Sequence, residues 1–255
     1  MPAPAPYNPS TPGEVAYALA TPADAPAVAA LVARVWTRFF GHSVSADDLA
    51  EHLATSLHPD TIGAELARGD MAFVVATVAR GGGDGEDGED GGDGGDGGDT
   101  PADDDNNARS THLVPAITVT PSPSPSPRPY GDEDSDATDA PDPASPLVVG
   151  VAQIVAGSAE PCLTHPDPVE LRRLYVDQTQ HGKGVADALV AHAAALAAER
   201  FAARALWLGV WEDNPRARRF YARLGFEDVG EHEFVVGGAV RRDVVMERAL
   251  GALRA

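Results

Sequence analysis

The chain is expected to fold as a mixed α/β domain, a sheet covered by helices, and three observations lead there. Apolar runs of strand length alternate with segments of helical period along most of the sequence. One stretch, Gly81 to Ser145, concentrates glycine, aspartate, proline and serine, and buries too little apolar surface to offset the entropy of ordering it. The flanks, Glu14 to Val78 and Leu147 to Arg254, are each too incomplete to stand alone. Together they make about 170 residues, a normal single domain carrying a long insertion. The division is therefore a flexible N-terminus (1–13), two parts of one domain (14–80 and 146–255), and a disordered acidic insertion (81–145).

In the first part, "EVAYALA" reads as a strand. "DAPAVAALVARVWTRFF" repeats Val28, Leu31, Val32, Val35 and Phe39 at helical spacing, with Asp24 as its expected cap. "SADDLAEHLATSL" opens on Ser45 as N-cap with Asp48 in the capping-box place, and "DTIGAELARGD" is a further short helix. "MAFVVATVAR" is a strand running into the insertion. In the second part "PLVVGVAQIVAG" and "VELRRLYVD" are strands, Val185 to Arg200 a helix, "ALWLGV" a strand and Pro215 to Leu224 a helix. "FEDVGEHEFVV" and "VRRDVVMERAL" are two strands joined by the hairpin signal Gly237–Gly238. Period two in "VELRRLYVD" puts Glu170, Arg172, Leu174 and Val176 on one side and Leu171, Arg173 and Tyr175 on the other.

Charge narrows the function. The insertion holds 17 of the 39 acids and two of the 19 bases, a formal charge of −15, so the foldable remainder carries −5 of the total −20. No basic footprint is present, which argues against nucleic acid as a direct ligand. The GGD and GED repeats invite a calcium reading, but neither an EF-hand loop nor a nonapeptide register is kept, and a solvated linker is the better account. "THLVPAITVT" is an apolar island within it. Excising the insertion is expected to leave folding and ligand affinity almost unchanged. The single cysteine, Cys162, makes no intramolecular disulfide and points to no zinc site. With no leader-like N-terminus and no apolar run near the roughly 18 residues that span a bilayer, a cytoplasmic protein without a membrane partner is expected.

Chemistry concentrates after the strand "VELRRLYVD". The loop "QHGKG" leads into a helix, so Gly182 and Gly184 can aim backbone amides at an anion at the helix start, and Lys183, the only lysine of the chain, adds a cation. An ordinary turn fits the same residues about as well, and neither GxGxxG nor a Walker A loop is present. Farther on, Asn214 is a good N-cap, Pro215 is favoured at the first helical position, and Gly225 suits the left-handed residue past the helix end. Ala217, Phe220 and Leu224 share a core-facing side, and Tyr221 beside them reads equally as a packed aromatic. Glu212 and Asp213 fit solvated acids at a helix start, and His165, His192 and His232 are scattered rather than clustered for a metal.

"LYVDQTQHGKGVADALV" resembles the acyl-CoA-binding motif of the GNAT family of N-acetyltransferases, a strand followed by a (Q/R)xxGx(G/A) loop and a helix; His181 stands where the family has Gln or Arg. "LGVWEDNPRARRFYARLGFEDVG" is similar to the family's next motif almost position for position. The resemblance implies a mostly antiparallel central sheet with helices on both faces and acetyl-CoA as cosubstrate, without a metal. It implies that His181, Gly182, Lys183, Gly184, Val185 and Ala186 hold the coenzyme's diphosphate, that the backbone of Leu174, Tyr175 and Val176 bonds the pantetheine arm, and that Asn214 contacts the coenzyme as well as capping. It gives Tyr221 the protonation of the departing thiolate and Glu170 the removal of the amine proton, a carboxylate that reads equally as an arginine's partner. The longer segments are most similar to the PaiA-like branch associated with spermidine and spermine, so a small-molecule amine is the expected acceptor. A protein N-terminus or lysine is the alternative, as is a non-catalytic CoA-binding regulatory protein, and a homodimer is left open.

Overall fold

A computed structural model describes residues 14–40, 45–79, 146–236 and 239–251. In chain order these form β1 (Val15–Leu19), α1 (Ala25–Phe40), α2 (Ala46–Thr55), α3 (Pro59–Leu66), β2 (Met71–Val78), β3 (Leu147–Ala156), β4 (Pro168–Val176), α4 (Val185–Phe201), β5 (Ala205–Trp211), α5 (Pro215–Arg223), β6 (Glu227–Val236) and β7 (Ala239–Ala249). The seven strands make one sheet in the order β1-β2-β3-β4-β5-β7-β6, antiparallel throughout except for β4 beside β5. This is the mixed architecture expected from the alternation of strands and helices.

The two parts of the chain meet inside the sheet. β2 pairs with β3 from Met71↔Val155 to Val78↔Leu147, so the residues before and after the insertion are hydrogen-bonded neighbours. The insertion itself, with the expected island Thr111 to Thr120, lies outside the described residues, as do Gly237 and Gly238; the strands flanking that pair are in register from Val236↔Ala239 onward.

Two cores follow from the alternation of side chains across the sheet. On one face α1, bearing Val28, Leu31, Val32 and Val35, packs with Ile62 of α3 onto Phe73, Val75, Val148, Val151 and Tyr175. On the other, α4 lays Val185, Ala186, Leu189, Val190, Ala193 and Ala197 on Ala76, Val149, Ala152, Leu174 and Val176. The small alanines let the helix lie close to the strands. Gly150 marks the tightest point, since a Cβ there would stand 2.9 Å from Leu189 Cδ1, 3.3 Å from Ala76 Cβ and 3.4 Å from Val185 Cγ1.

Two local expectations are corrected. Asp24 is not the cap of α1: it lies in a 3-10 turn (Pro22–Asp24) and accepts from Thr21 N at 2.7 Å and Thr21 Oγ1 at 2.9 Å, with α1 starting at the next residue. The strict period of two in β4 fails because the β3–β4 register slips by one residue, Gln153 opposing Arg173 while Ile154 opposes Leu171. Such a bulge turns the following side chains to the other face. Val169, Leu171, Leu174 and Val176 therefore share the α4 face, while Tyr175 joins the α1 core.

Replacing Gly150 by valine should destabilise the protein by about 1–3 kcal/mol, the usual cost of overpacking, because the neighbouring side chains of Leu189, Ala76 and Val185 are all buried. Urea denaturation followed by far-UV circular dichroism checks it; an unchanged midpoint would contradict the packing described.

Candidate active site

The site begins where two strands part. β4 and β5 pair only through Pro168↔Ala205, Val169↔Leu206 and Glu170↔Trp207. Beyond that point the ladder stops although β4 runs on to Val176 and β5 to Trp211. The facing edges around Leu174–Val176 and Leu208–Trp211 thus bound a wedge through the sheet, whose strand edges offer backbone donors and acceptors to a ligand.

The wide end of the wedge meets the loop before α4. Asp177 carries the chain out of β4: its amide bonds Val149 O at 2.8 Å, its carboxylate accepts from Thr179 N and Oγ1 at 3.0 and 2.8 Å, and Arg34 Nη2 of α1 reaches it at 2.7 Å. These donors hold the carboxyl below its ordinary range although burial opposes them. His181 Nε2 sits 3.1 Å from Val176 O, and its ring lies near that of Phe39. Gly182 and Gly184 both have φ of +77°, and Gly184 is the N-cap without a side chain to cap with. The first amides of α4, from Val185, Ala186 and Asp187, have no intrahelical acceptor by the geometry of any α-helix. Space beside Gly184 is open, and Lys183 Nζ reaches Gln180 Oε1 at 3.3 Å.

Tyr221 and Glu170 approach from opposite faces. Asn214 Oδ1 accepts from Ala217 N at 3.0 Å, fixing the start of α5, and Gly225 closes its end at φ +85°. Tyr221 is fully buried in the α4-side core, edge-on to Phe220 and Phe226 with ring centroids 5.0 and 5.6 Å away. Glu170 stands at the last β4–β5 pair on the other face, wholly buried, with Oε2 accepting from Arg172 Nη2 at 2.7 Å. The arginine partnership expected for it is present, in the interior rather than at an edge. The end of the β4–β5 ladder lies between the two sides.

Several polar groups on the Glu170 face gave no sequence signal beyond a charge inside an apolar strand. Gln153, buried in β3, donates to Glu65 of α3 at 3.4 Å, and Glu65 also pairs with Arg173. Burial pushes Tyr175 up to about 12, with Arg173 opposing the shift. Asp243 of β7 lies opposite Trp211, is 1% exposed, and is pushed up to about 7 by burial and then by Glu212. Glu247, two pairs along the same face, is saturated instead by Thr164 and His165 of the β3–β4 loop and held below its ordinary range. Cys162 of that loop rests against Gly230, and burial raises its thiol, which makes it a poor nucleophile. Among the described residues no group of His, Cys, Asp and Glu is arranged to hold a metal, and no helix is long and apolar enough to cross a membrane.

Residues 117–226 match the model of the Acetyltransferase (GNAT) family. An uncharacterized N-acetyltransferase of Mycobacterium tuberculosis is 40% identical over 103 residues, which cover 40% of this chain and 61% of that protein. Another, from Lactobacillus delbrueckii subsp. lactis, is 31% identical over 103 residues, 40% of this chain and 59% of its own. The chain thus spans about 60% of the length of the curated relatives it matches. Solved structures share the GNAT fold across nearly the whole chain. PaiA N-acetyltransferase of Thermoplasma acidophilum, in complex with coenzyme A, superposes with a TM-score of 0.52 at 13% identity, covering 93% of this chain and 99% of that one. Arabidopsis thaliana NAA60, in complex with acetyl-CoA, gives 0.51 at 12% identity with the same coverage.

Asp243 yields a pH prediction. Its folded value lies above its unfolded one, so the folded state binds the extra proton and the residue costs stability as pH rises from about 4 through about 7. Asp243→Asn should therefore be more stable than the parent at pH 8, by on the order of 2 kcal/mol, with the advantage shrinking toward pH 4. Thermal unfolding of both proteins across that range measures the difference; a pH-independent difference would contradict it.

Proposed function

We propose that this protein is an acetyl-CoA-dependent N-acetyltransferase that passes the acetyl group directly to a primary amine. The observation that carries the reading is the short β4–β5 ladder opening into a wedge whose wide end meets the glycine-bearing start of α4. A long ligand with a phosphorylated head suits that shape. In this reading residues 14–80 and 146–255 make one catalytic domain acting in the cytoplasm, and residues 81–145 lie outside its chemistry.

His181, Gly182, Lys183, Gly184, Val185 and Ala186 hold the diphosphate, chiefly through amides at the positive end of the helix dipole. The backbone of Leu174, Tyr175 and Val176 takes the pantetheine arm as an added strand would. Asn214 contributes by fixing the start of α5 and hence the place of Tyr221. The thioester then lies in the gap, where the amine nitrogen attacks the carbonyl carbon from the Glu170 side as the carbon–sulfur bond breaks. Tyr221 gives its phenolic proton to the departing thiolate, and the amine proton passes to Glu170 directly or through water. Glu170 is wholly covered in the described state, so the relay through water is the geometry we favour. Likeness to the PaiA-type sequences nominates polyamines such as spermidine and spermine as the first acceptors to examine.

Thiol release from acetyl-CoA across an amine library tests the reading, and no release with any amine would sink it. Tyr221→Phe should lower kcat by about a hundredfold or more, the usual contribution of a general acid, while the KM for acetyl-CoA stays within about twofold. An equally active variant would remove Tyr221 from the mechanism.

A further inference from the structure

On the side of the sheet away from α4, β5 presents two indoles with a glycine between them. Leu206, Leu208 and Val210 belong to the α4-side core, so Trp207, Gly209 and Trp211 share the opposite face. Glu170 of β4 is in register with Trp207, and the partners of the three residues on β7 are Glu247, Val245 and Asp243 in that order. Carboxylates thus stand at both ends of the Trp-Gly-Trp row, beside the point where β4 and β5 part.

Hydrogen bonds sort the three carboxylates of this face. Glu170 Oε2 accepts from Arg172 Nη2 at 2.7 Å, so a cation already offsets its charge. Glu247 accepts from Thr164 N and Oγ1 at 2.9 and 2.7 Å and from His165 N at 3.0 Å. Asp243 is 1% exposed, its Oδ1 has no hydrogen-bond partner among the described residues, and it enters no ion pair there. The charged groups around it are otherwise engaged or of the wrong sign. His232, in register with it on β6, turns to Glu160 at 3.0 Å. Arg242, next in the chain, lies 3.4 Å from Glu231 and 3.7 Å from Glu233. Glu212, after β5, adds to the burial that pushes the Asp243 carboxyl up to about 7. A buried carboxylate that must ionise near neutrality without a partner costs stability unless a cation arrives from outside the chain. The way in is short, since Glu212 and Arg242 each keep 44% of their side chains exposed.

We infer that the acceptor is a short aliphatic diamine whose second ammonium Asp243 holds while the first reaches the thioester across Gly209. This rests on the acetyl transfer proposed above and names the chemistry of its acceptor. Gly209 and Asp243 are two residues and one strand apart, about 8 Å between Cα positions, a span that an alkyl chain between two amines can bridge. Trp211, paired with Asp243, offers an indole to the same cation. An ammonium against the carboxylate draws off its proton, so the second centre is held more tightly as pH rises through about 7.

The test measures steady-state kinetics of the full chain with putrescine and with n-butylamine, which has the same carbon chain and a single amine. The parent should favour the diamine in kcat/KM by at least about tenfold at pH 8, the worth of one hydrogen bond to a charged group. Asp243→Asn should raise the putrescine KM by about the same factor while the KM values for n-butylamine and acetyl-CoA stay within about twofold, and Asp243→Glu should recover part of the loss. The difference between the two amines should shrink below pH 6 in the parent and be independent of pH in Asp243→Asn. Equal kcat/KM for the two amines in the parent, or a loss in Asp243→Asn that strikes both amines alike, would overturn the anchor. Turnover of peptides but of neither amine would keep the acetyltransferase and overturn this acceptor. If acetyl-CoA is consumed with no acceptor of any kind, the transferase reading itself is refuted, and thermal unfolding of each variant separates these outcomes from loss of fold.

Discussion

Parallel pairing between β4 and β5 lasts for three residues, and the geometry of the candidate site depends on its stopping there. Had the ladder continued to Val176 and Trp211, the backbone groups of both strands would be spent on each other and the sheet would be closed. Antiparallel neighbours hold each strand on its outer side: β3 follows β4 to Gly150↔Val176, and β7 follows β5 to Trp211↔Asp243. The two strands can therefore part without fraying. α4 follows β4 and α5 follows β5, so the helix start carrying the glycines and the helix carrying Tyr221 are set at that same end of the sheet.

Chain order and element type were legible because local chemistry agreed with the final packing. The α1 stripe from Val28 to Val35 is buried as its spacing requires. Asn214, Pro215 and Gly225 bound α5 as their capping preferences dictate. Gly182 and Gly184 take the left-handed backbone that other residues avoid. The facing of β4 was not legible, because a bulge depends on hydrogen bonds to a strand 12 or more residues away, and nothing in "VELRRLYVD" records it. Asp243 escaped notice for a related reason. A carboxylate in a strand normally reads as a solvent-facing residue of period two, and its burial becomes visible only when β7 is found between β5 and β6.

The two faces of the sheet divide the work. The α4 face is almost wholly apolar, with Leu171, Leu174, Leu206, Leu208 and Phe220 around Tyr221, and it fixes positions by close packing. Toward β4, β5 and β7 the α1 face instead collects Gln153, Glu170, Arg172, Arg173, Asp243 and Glu247. Glu247 is fully met by the β3–β4 loop, whereas Glu170 Oε1, Arg172 Nε, Gln153 Oε1 and Asp243 Oδ1 are buried without a hydrogen-bond partner among the described residues.

Such groups lower stability, each typically by about 1–3 kcal/mol when unmet. Three of the four lie on neighbouring stretches of β3 and β4 beside the gap, at or next to the bulge. The bulge and the buried polar atoms are then one feature. Slipping the register at Arg172 keeps Leu171 and Leu174 together in the apolar core and leaves the intervening arginines to the polar face, where Arg172 meets Glu170 and Arg173 meets Glu65. A strand with strict alternation would have driven Leu174 toward α1 and both Arg173 and Tyr175 toward α4, burying a phenol in the apolar core and breaking the Arg173–Glu65 pair. The irregularity in β4 is therefore what allows a well-packed apolar face and a polar face to share the same three strands.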